Sequence, residues 1–232
     1  LDVVLVNGTL VTATADNTYQ DLFKALKGGA NRFGVVTRYE LKAVKSGRKD
    51  DKQWFGGIVF VTEGMLKAIV EFTRENQDPD AAILPYIAHV VSPDPSHSIT
   101  TLPVVNIFYN GAPRNLSQFE TEDTFNKTFA SFLSLPSVQS SLSRLSYFEV
   151  ASLNAETPAM QGLGQFFGAA SFGSVADETA KYIQSFEAAR KFSNKYRHIL
   201  YSTVLAFTPI REVQINIGGN LFVSPGTRPF NA

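Results

Sequence analysis

A chain of 232 residues, 44% hydrophobic and 18% charged, is long and apolar enough to bury a sizeable core, which excludes a disordered polypeptide. Its 21 basic and 21 acidic residues balance, so no positive excess advertises nucleic acid or an anionic membrane, and no apolar run approaches the roughly 20 residues that span a bilayer. The lack of cysteine removes disulfides and a thiol nucleophile. The three histidines, His89, His97 and His198, form neither an HxH nor an HExxH pair, so no metal site is expected.

The opening DVVLVNGTLVTAT sets two β-branched runs about an Asn-Gly pair, the pattern of a hairpin. NTYQDLFKALKGG then reads as a short helix. Thr18 and Asp21 have the spacing of an N-terminal cap, Leu22, Phe23, Ala25 and Leu26 form its apolar face, and Gly28 or Gly29 ends it. RFGVVTRYELKAV is a strand, and the charged stretch KSGRKDDKQ, residues 45–53, marks the best domain boundary. Beyond it, period-2 and period-3.6 patterns alternate. They predict an antiparallel sheet from residues 54–61, 82–91, 102–110, 165–173 and 199–207, covered on one face by helices over 63–76, 117–133 and 176–195. Ser117 and Glu120 form a capping box for the second of these. A further strand is expected around RLSYFEV and a last one in EVQINIGGNLF. The order β-α-β-β-α-β gives an α+β fold with helices on one face of an antiparallel sheet.

Three sequons, at Asn7, Asn115 and Asn126, each offer a glycan acceptor and lean toward a secreted protein, although such tripeptides also arise by chance. The first residues begin inside a strand-like alternation, so a piece of a longer protein is expected.

The glycine pair has a plain explanation, because a helix precedes it. Phosphate-cradling loops instead precede helices, where free N–H groups and the positive dipole end meet the anion. That explanation accounts for Gly28 and Gly29 and for nothing after Ala30. The whole run NGTLVTATADNTYQDLFKALKGGANRFGVVTRYELK, however, resembles the end of the FAD-binding domain of FAD-linked oxidases of the vanillyl-alcohol-oxidase and berberine-bridge-enzyme type. Asp21, Leu22, Phe23, Ala25 and Leu26 match the family's helix. Gly28, Gly29, Asn31, Phe33, Gly34, Val35, Val36 and Thr37 match its turn and strand. Lys24, Ala30 and Arg32 depart from it. FFGAASFGS, the long helix after it and LAFTPIREVQINIGGNLF resemble the family's substrate domain more loosely.

The resemblance implies residues 1–46 as the C-terminal part of an FAD-binding domain and 54–232 as a substrate-binding α+β domain. It implies backbone contact of Gly34, Val35 and Val36 with the adenine end of FAD, in an enzyme that oxidises a small alcohol, sugar or amine by hydride transfer to flavin. The earlier flavin half, with its covalent anchors, has no counterpart here, so this chain alone is expected to be inactive and to need that half as partner. The run Gly218-Gly219-Asn220-Leu221-Phe222-Val223 lacks the glutamate that serves plant members as base. Tyr86, Tyr109 and Tyr201 fall on predicted strands. Like His89 and His198, each is more readily core or sheet surface than catalytic, so no catalytic residue is assigned. The alternative is a flavin-free fragment acting as a binding or interaction module.

Overall fold

The computed structural model of the protein describes residues 1–29, 32–153, 162–173, 178–218 and 230–231. The chain divides into two compact units, one of Leu1–Val44 with a stretch that starts at Gln214, the other of Lys45–Val213 with the last residues.

In the first unit, β1 (Asp2–Val4), β2 (Leu10–Thr12), α1 (Gln20–Gly29) and β3 (Val35–Arg38) follow in chain order, and the strands form an antiparallel sheet of order β2-β1-β3. The hairpin loop is longer than an Asn-Gly turn would make it: Leu5 N–H donates to the Thr9 carbonyl at 2.9 Å, and Asn7 Oδ1 accepts from Thr9 N–H at 3.0 Å. The polar side chain that organises the approach to α1 is Asn17, not Thr18. Its Oδ1 accepts from Tyr19 N–H at 2.9 Å, and its amide donates to the Thr12 carbonyl at 2.7 Å. Val3, Val11, Ala13 and Leu26 are buried together, with Leu22, Phe23 and Val36 packed against them. α1 runs through both glycines and ends at Gly29, and the turn after it, residues 30–31, lies outside the described residues.

The second unit comprises β4 (Trp54–Val61), α2 (Met65–Glu75), β5 (Ala81–Val91), β6 (Ile99–Asn110), α3 (Gln118–Thr128), α4 (Ala130–Leu133), β7 (Ser137–Leu145), α5 (Tyr147–Ser152), β8 (Phe172–Gly173), α6 (Glu178–Tyr196), β9 (Ser202–Ala206) and β10 (Pro209–Ile210). α7 (Glu212–Gly218) spans the boundary between units, and β11 (Phe230–Asn231) joins a small sheet of order β10-β11-β8. The main sheet is antiparallel throughout, in the order β7-β4-β6-β5-β9.

Strand alternation sends Val59, Val61, Val105, Ile107, Tyr109, Ala81 and Ile87 to one face, where they bury against Ile69 and Phe72 of α2, Phe125 of α3, Phe132 of α4 and Tyr182 of α6. Phenylalanine dominates this packing. Phe72 stacks on Phe129 at 5.7 Å, and Phe125 lies 4.9 Å from both Phe129 and Phe55. Each fully buried ring contributes roughly 1.5–3 kcal/mol over an exposed one. The Ser117–Glu120 capping box forms as the spacing predicts, and Ser146 with Glu149 makes a second one for α5.

Three predicted strands differ. The outer strand beside β4 is β7, not residues 165–173, of which only Phe172 and Gly173 are strand. RLSYFEV divides into the end of β7 and the helix α5. EVQINIG is the helix α7.

The loop before β5 is fixed by charge. Asp78 accepts from the Tyr109 hydroxyl at 3.0 Å and from Arg114 at 2.5 Å, and Arg114 also pairs with Asp80 at 2.8 Å. Arg211, 2% exposed, donates to Asn76 Oδ1 at 2.5 Å and to the carbonyls of Asp78 and Ala81 at 2.8 and 2.7 Å. Its guanidinium lies 5.0 Å from the centre of the Phe72 ring.

Candidate functional site

The face of the main sheet turned away from the core helices carries the side chains of the opposite parity. Register sets them in rows. Gln139, Phe60, Val104, Tyr86 and Ala206 form one row, and Ser141, Ile58, Asn106 and Leu84 the next. Leu102 and Val204 extend the surface. α5 reaches this face at one end, where Tyr147 packs on Trp54 at 5.6 Å. Over the central strand, Val104, Asn106 and Phe108 are buried, whereas Leu84, Leu102 and Val204 toward the edges remain 36 to 56% exposed. The face is thus an apolar wall with a carboxamide and a phenol set into it.

The structure separates the candidates that the sequence could not. Tyr86 is half-buried on this wall, and burial raises its phenol above the usual value, so at neutral pH it stays protonated and donates a hydrogen bond. Tyr109 lies on the opposite face, and its hydroxyl is committed to Asp78, which with burial pushes its pKa up as well. Tyr201 sits exposed just before β9. His89 is fully buried beneath α6. His198 is an exposed residue beyond the end of α6, and its ring meets that of His97 at 4.9 Å. Of these five, Tyr86 alone is presented on the helix-free face. Among the described residues no group of three or more His, Asp or Glu side chains is placed to hold a metal ion, and no helix is long and apolar enough to cross a membrane.

In the first unit, Gly34, Val35 and Val36 stand at the edge of the three-stranded sheet. Gly34 has φ +149°, and a Cβ there would lie 2.6 Å from the Val4 carbonyl oxygen, so the close approach of β1 demands glycine whatever else the residue does. Val36 turns into the buried cluster, whereas Val35 is 67% exposed. β3 has β1 on one side only, so its outward backbone N–H and C=O groups are available among the described residues. A strand that offers backbone donors, backbone acceptors and a small aliphatic side chain suits the edge of a flat, uncharged ring such as adenine. Of the late glycine run, Gly218 closes α7, and residues 219–223 lie outside the described residues.

The chain is similar in sequence to proteins named FAD-linked oxidoreductases and FAD-dependent monooxygenases. An uncharacterised FAD-linked oxidoreductase of Arthroderma benhamiae is 32% identical over 158 residues, covering 67% of this chain and 27% of that protein. The FAD-dependent monooxygenase tpcD of Cochliobolus heterostrophus is 39% identical over 88 residues, 35% of this chain and 16% of its own. A protein of Diaporthe leptostromiformis named oligopeptidase PhomG' is 29% identical over 215 residues, 89% of this chain but 16% of its own. The chain thus spans about a quarter or less of the length of these three relatives. No protein-family model matches it, and no solved structure does.

Proposed function

We propose that residues 1–46 complete the FAD-binding domain, and residues 54–232 form the substrate-binding domain, of a secreted FAD-dependent oxidoreductase of the vanillyl-alcohol-oxidase and berberine-bridge-enzyme type. The observation that carries this reading is the similarity to an FAD-linked oxidoreductase through 158 residues of the chain. FAD is the cofactor of the complete enzyme, with its adenine end beside Gly34, Val35 and Val36, and the remaining walls of its pocket come from the rest of the protein. Exposed Asn7, Asn115 and Asn126 are the glycan acceptors in this reading.

Bound FAD supplies the hydride acceptor for oxidation of a small alcohol, sugar or amine. The chain's own part is to hold that substrate. Phe60, Leu84 and Val104 shed water from it, and the protonated Tyr86 phenol donates a hydrogen bond to its oxygen or nitrogen, fixing the direction of the C–H bond to be broken. A phenol held protonated is a positioning group and not the base, which is assigned to no described residue.

The test uses the full-length protein. Tyr86→Phe and Leu84→Lys should each leave the visible flavin absorbance per mole of protein unchanged and lower kcat/KM at least 10-fold on the best small alcohol or amine substrate found. A colourless wild-type preparation would favour a flavin-free binding module. Unchanged turnover in both variants would remove the sheet face from the active site.

A further inference from the structure

We infer that His89 is an acid-sensitive latch that holds α6 on the five-stranded sheet and releases it when the imidazole takes up a proton. His89 faces the helix layer from β5, directly between its register partners Thr101 of β6 and Thr203 of β9. It is fully buried. Its Nδ1 lies 3.0 Å from Thr101 Oγ1, while its Nε2 and the Thr203 hydroxyl are buried without a hydrogen-bond partner among the described residues. Above the ring, Phe186 of α6 covers it at 5.9 Å between centroids.

The charged group that bears on His89 is Arg190, one turn beyond Phe186 on α6, and it repels a second cation. Glu187, the nearby carboxylate, is engaged by Arg190 at 2.6 Å. The two strands contribute only the hydroxyls of Thr101 and Thr203. A neutral imidazole has one of its two nitrogens paired here, with Thr101. An imidazolium needs two acceptors and a counter-charge, and the described residues supply one paired acceptor and no carboxylate. Burial first, and Arg190 second, therefore hold its pKa below the ordinary value.

α6 is the element that a proton would dislodge, because its Phe186 covers the ring. It buries Tyr182 and Ser193, while Ile183 and Phe192 keep nearly half of their surface exposed. Its inner face also walls a cavity of about 730 Å³ lined by Met65, Leu66, Ile87, Leu102, Ile183 and Phe186, so release of α6 removes one wall of that space. The sign follows from linkage. With the docked-state pKa depressed, docking is strongest above the ordinary histidine value near 6.5. Below that value the opening equilibrium rises about tenfold per pH unit, until the docked state itself protonates.

Hydrogen exchange of the full-length protein between pH 7.5 and 5, with intrinsic amide rates divided out, tests the latch. Amides of α6 should lose protection by nearly tenfold per unit below about pH 6.5, while those of α2 and α3 hold theirs. His89→Leu, or His89→Gln if the leucine variant does not fold, should abolish the slope. A flat profile for α6 in the wild type overturns the proposal. So does a slope that survives in the variants, and so does a loss shared equally by α2 and α3, which would be global unfolding.

Discussion

Replacing Arg211 by methionine keeps most of the stem that covers Phe72 and deletes the fork that donates to Asn76, Asp78 and Ala81. Hydrogen bonds from a charged donor contribute about 1.5–3 kcal/mol each, so three would suggest 5 kcal/mol or more. Against that, the wild type bears the cost of desolvating a guanidinium, several kcal/mol, which the variant escapes. Two effects keep the balance unfavourable to the variant: the carbonyls of Asp78 and Ala81 lose a buried donor, and β10 loses its tie to the loop before β5. The expected loss is about 3–5 kcal/mol, a large part of the roughly 5–15 kcal/mol that holds a typical domain. For a domain of this size it should lower Tm by roughly 6–20 °C. Urea unfolding followed by the fluorescence of Trp54 measures it, since that residue lies in the main sheet. Arg211→Lys keeps the charge without the fork, so most of the loss should persist. A loss below about 1 kcal/mol for Arg211→Met, or full stability for Arg211→Lys, would refute the reasoning.

Gly57 has φ +154°, and a Cβ there would meet the Ser141 carbonyl oxygen at 1.8 Å. Gly57→Ala should therefore strip β7 from β4 and cost about 3 kcal/mol or more, read as rapid amide exchange in β7 while β5 and β6 stay protected. Glu149 has its pKa lowered to about 2, first by the Ser146 backbone N–H, then by Lys52 and the Ser146 hydroxyl. Its stabilisation is present above its ordinary value of 4.5 and is lost as pH falls toward 2, so Glu149→Gln should flatten the fall of Tm across that window, and an unchanged acid limb would count against it. Val35→Trp in the full-length protein should leave the fold intact, since Val35 is exposed, and lower flavin content. Unchanged flavin content would place the adenine elsewhere.

The helices packed on the main sheet were legible because their signals are local. Phe125, Phe129 and Phe132 recur at helical spacing, and Ser117 announces its own cap. β7 was not legible as the outer strand. SVQSSLSRL has little alternation to read, since nearly all of its side chains are exposed, and it is held by backbone pairing to a partner whose Gly57 lets it approach. α7 was misread because Val213, Ile215 and Ile217 alternate like a strand, and three β-branched residues outweighed the context. α5 had a legible cap in Ser146 and Glu149, masked by the apolar run between and after them. At the candidate site, residue type was visible but parity was not. Tyr86 and Tyr109 look alike in sequence, and only the registers Tyr86↔Val104 and Ala81↔Tyr109 send one to the helix-free face and the other to Asp78.

The strand order also has a consequence for biosynthesis. β4 is made first of the five, yet both of its neighbours, β6 and β7, come later, and β7 is complete only at Leu145, about 84 residues after Val61. At roughly 5–20 residues per second, the apolar ribbon WFGGIVFV spends on the order of 4–17 s with at least one edge unmatched, while the β5–β6 hairpin can close as soon as Asn110 appears. The chain therefore has a built-in interval in which β4 presents an unpaired apolar edge, and any pause in synthesis before Leu145 lengthens it.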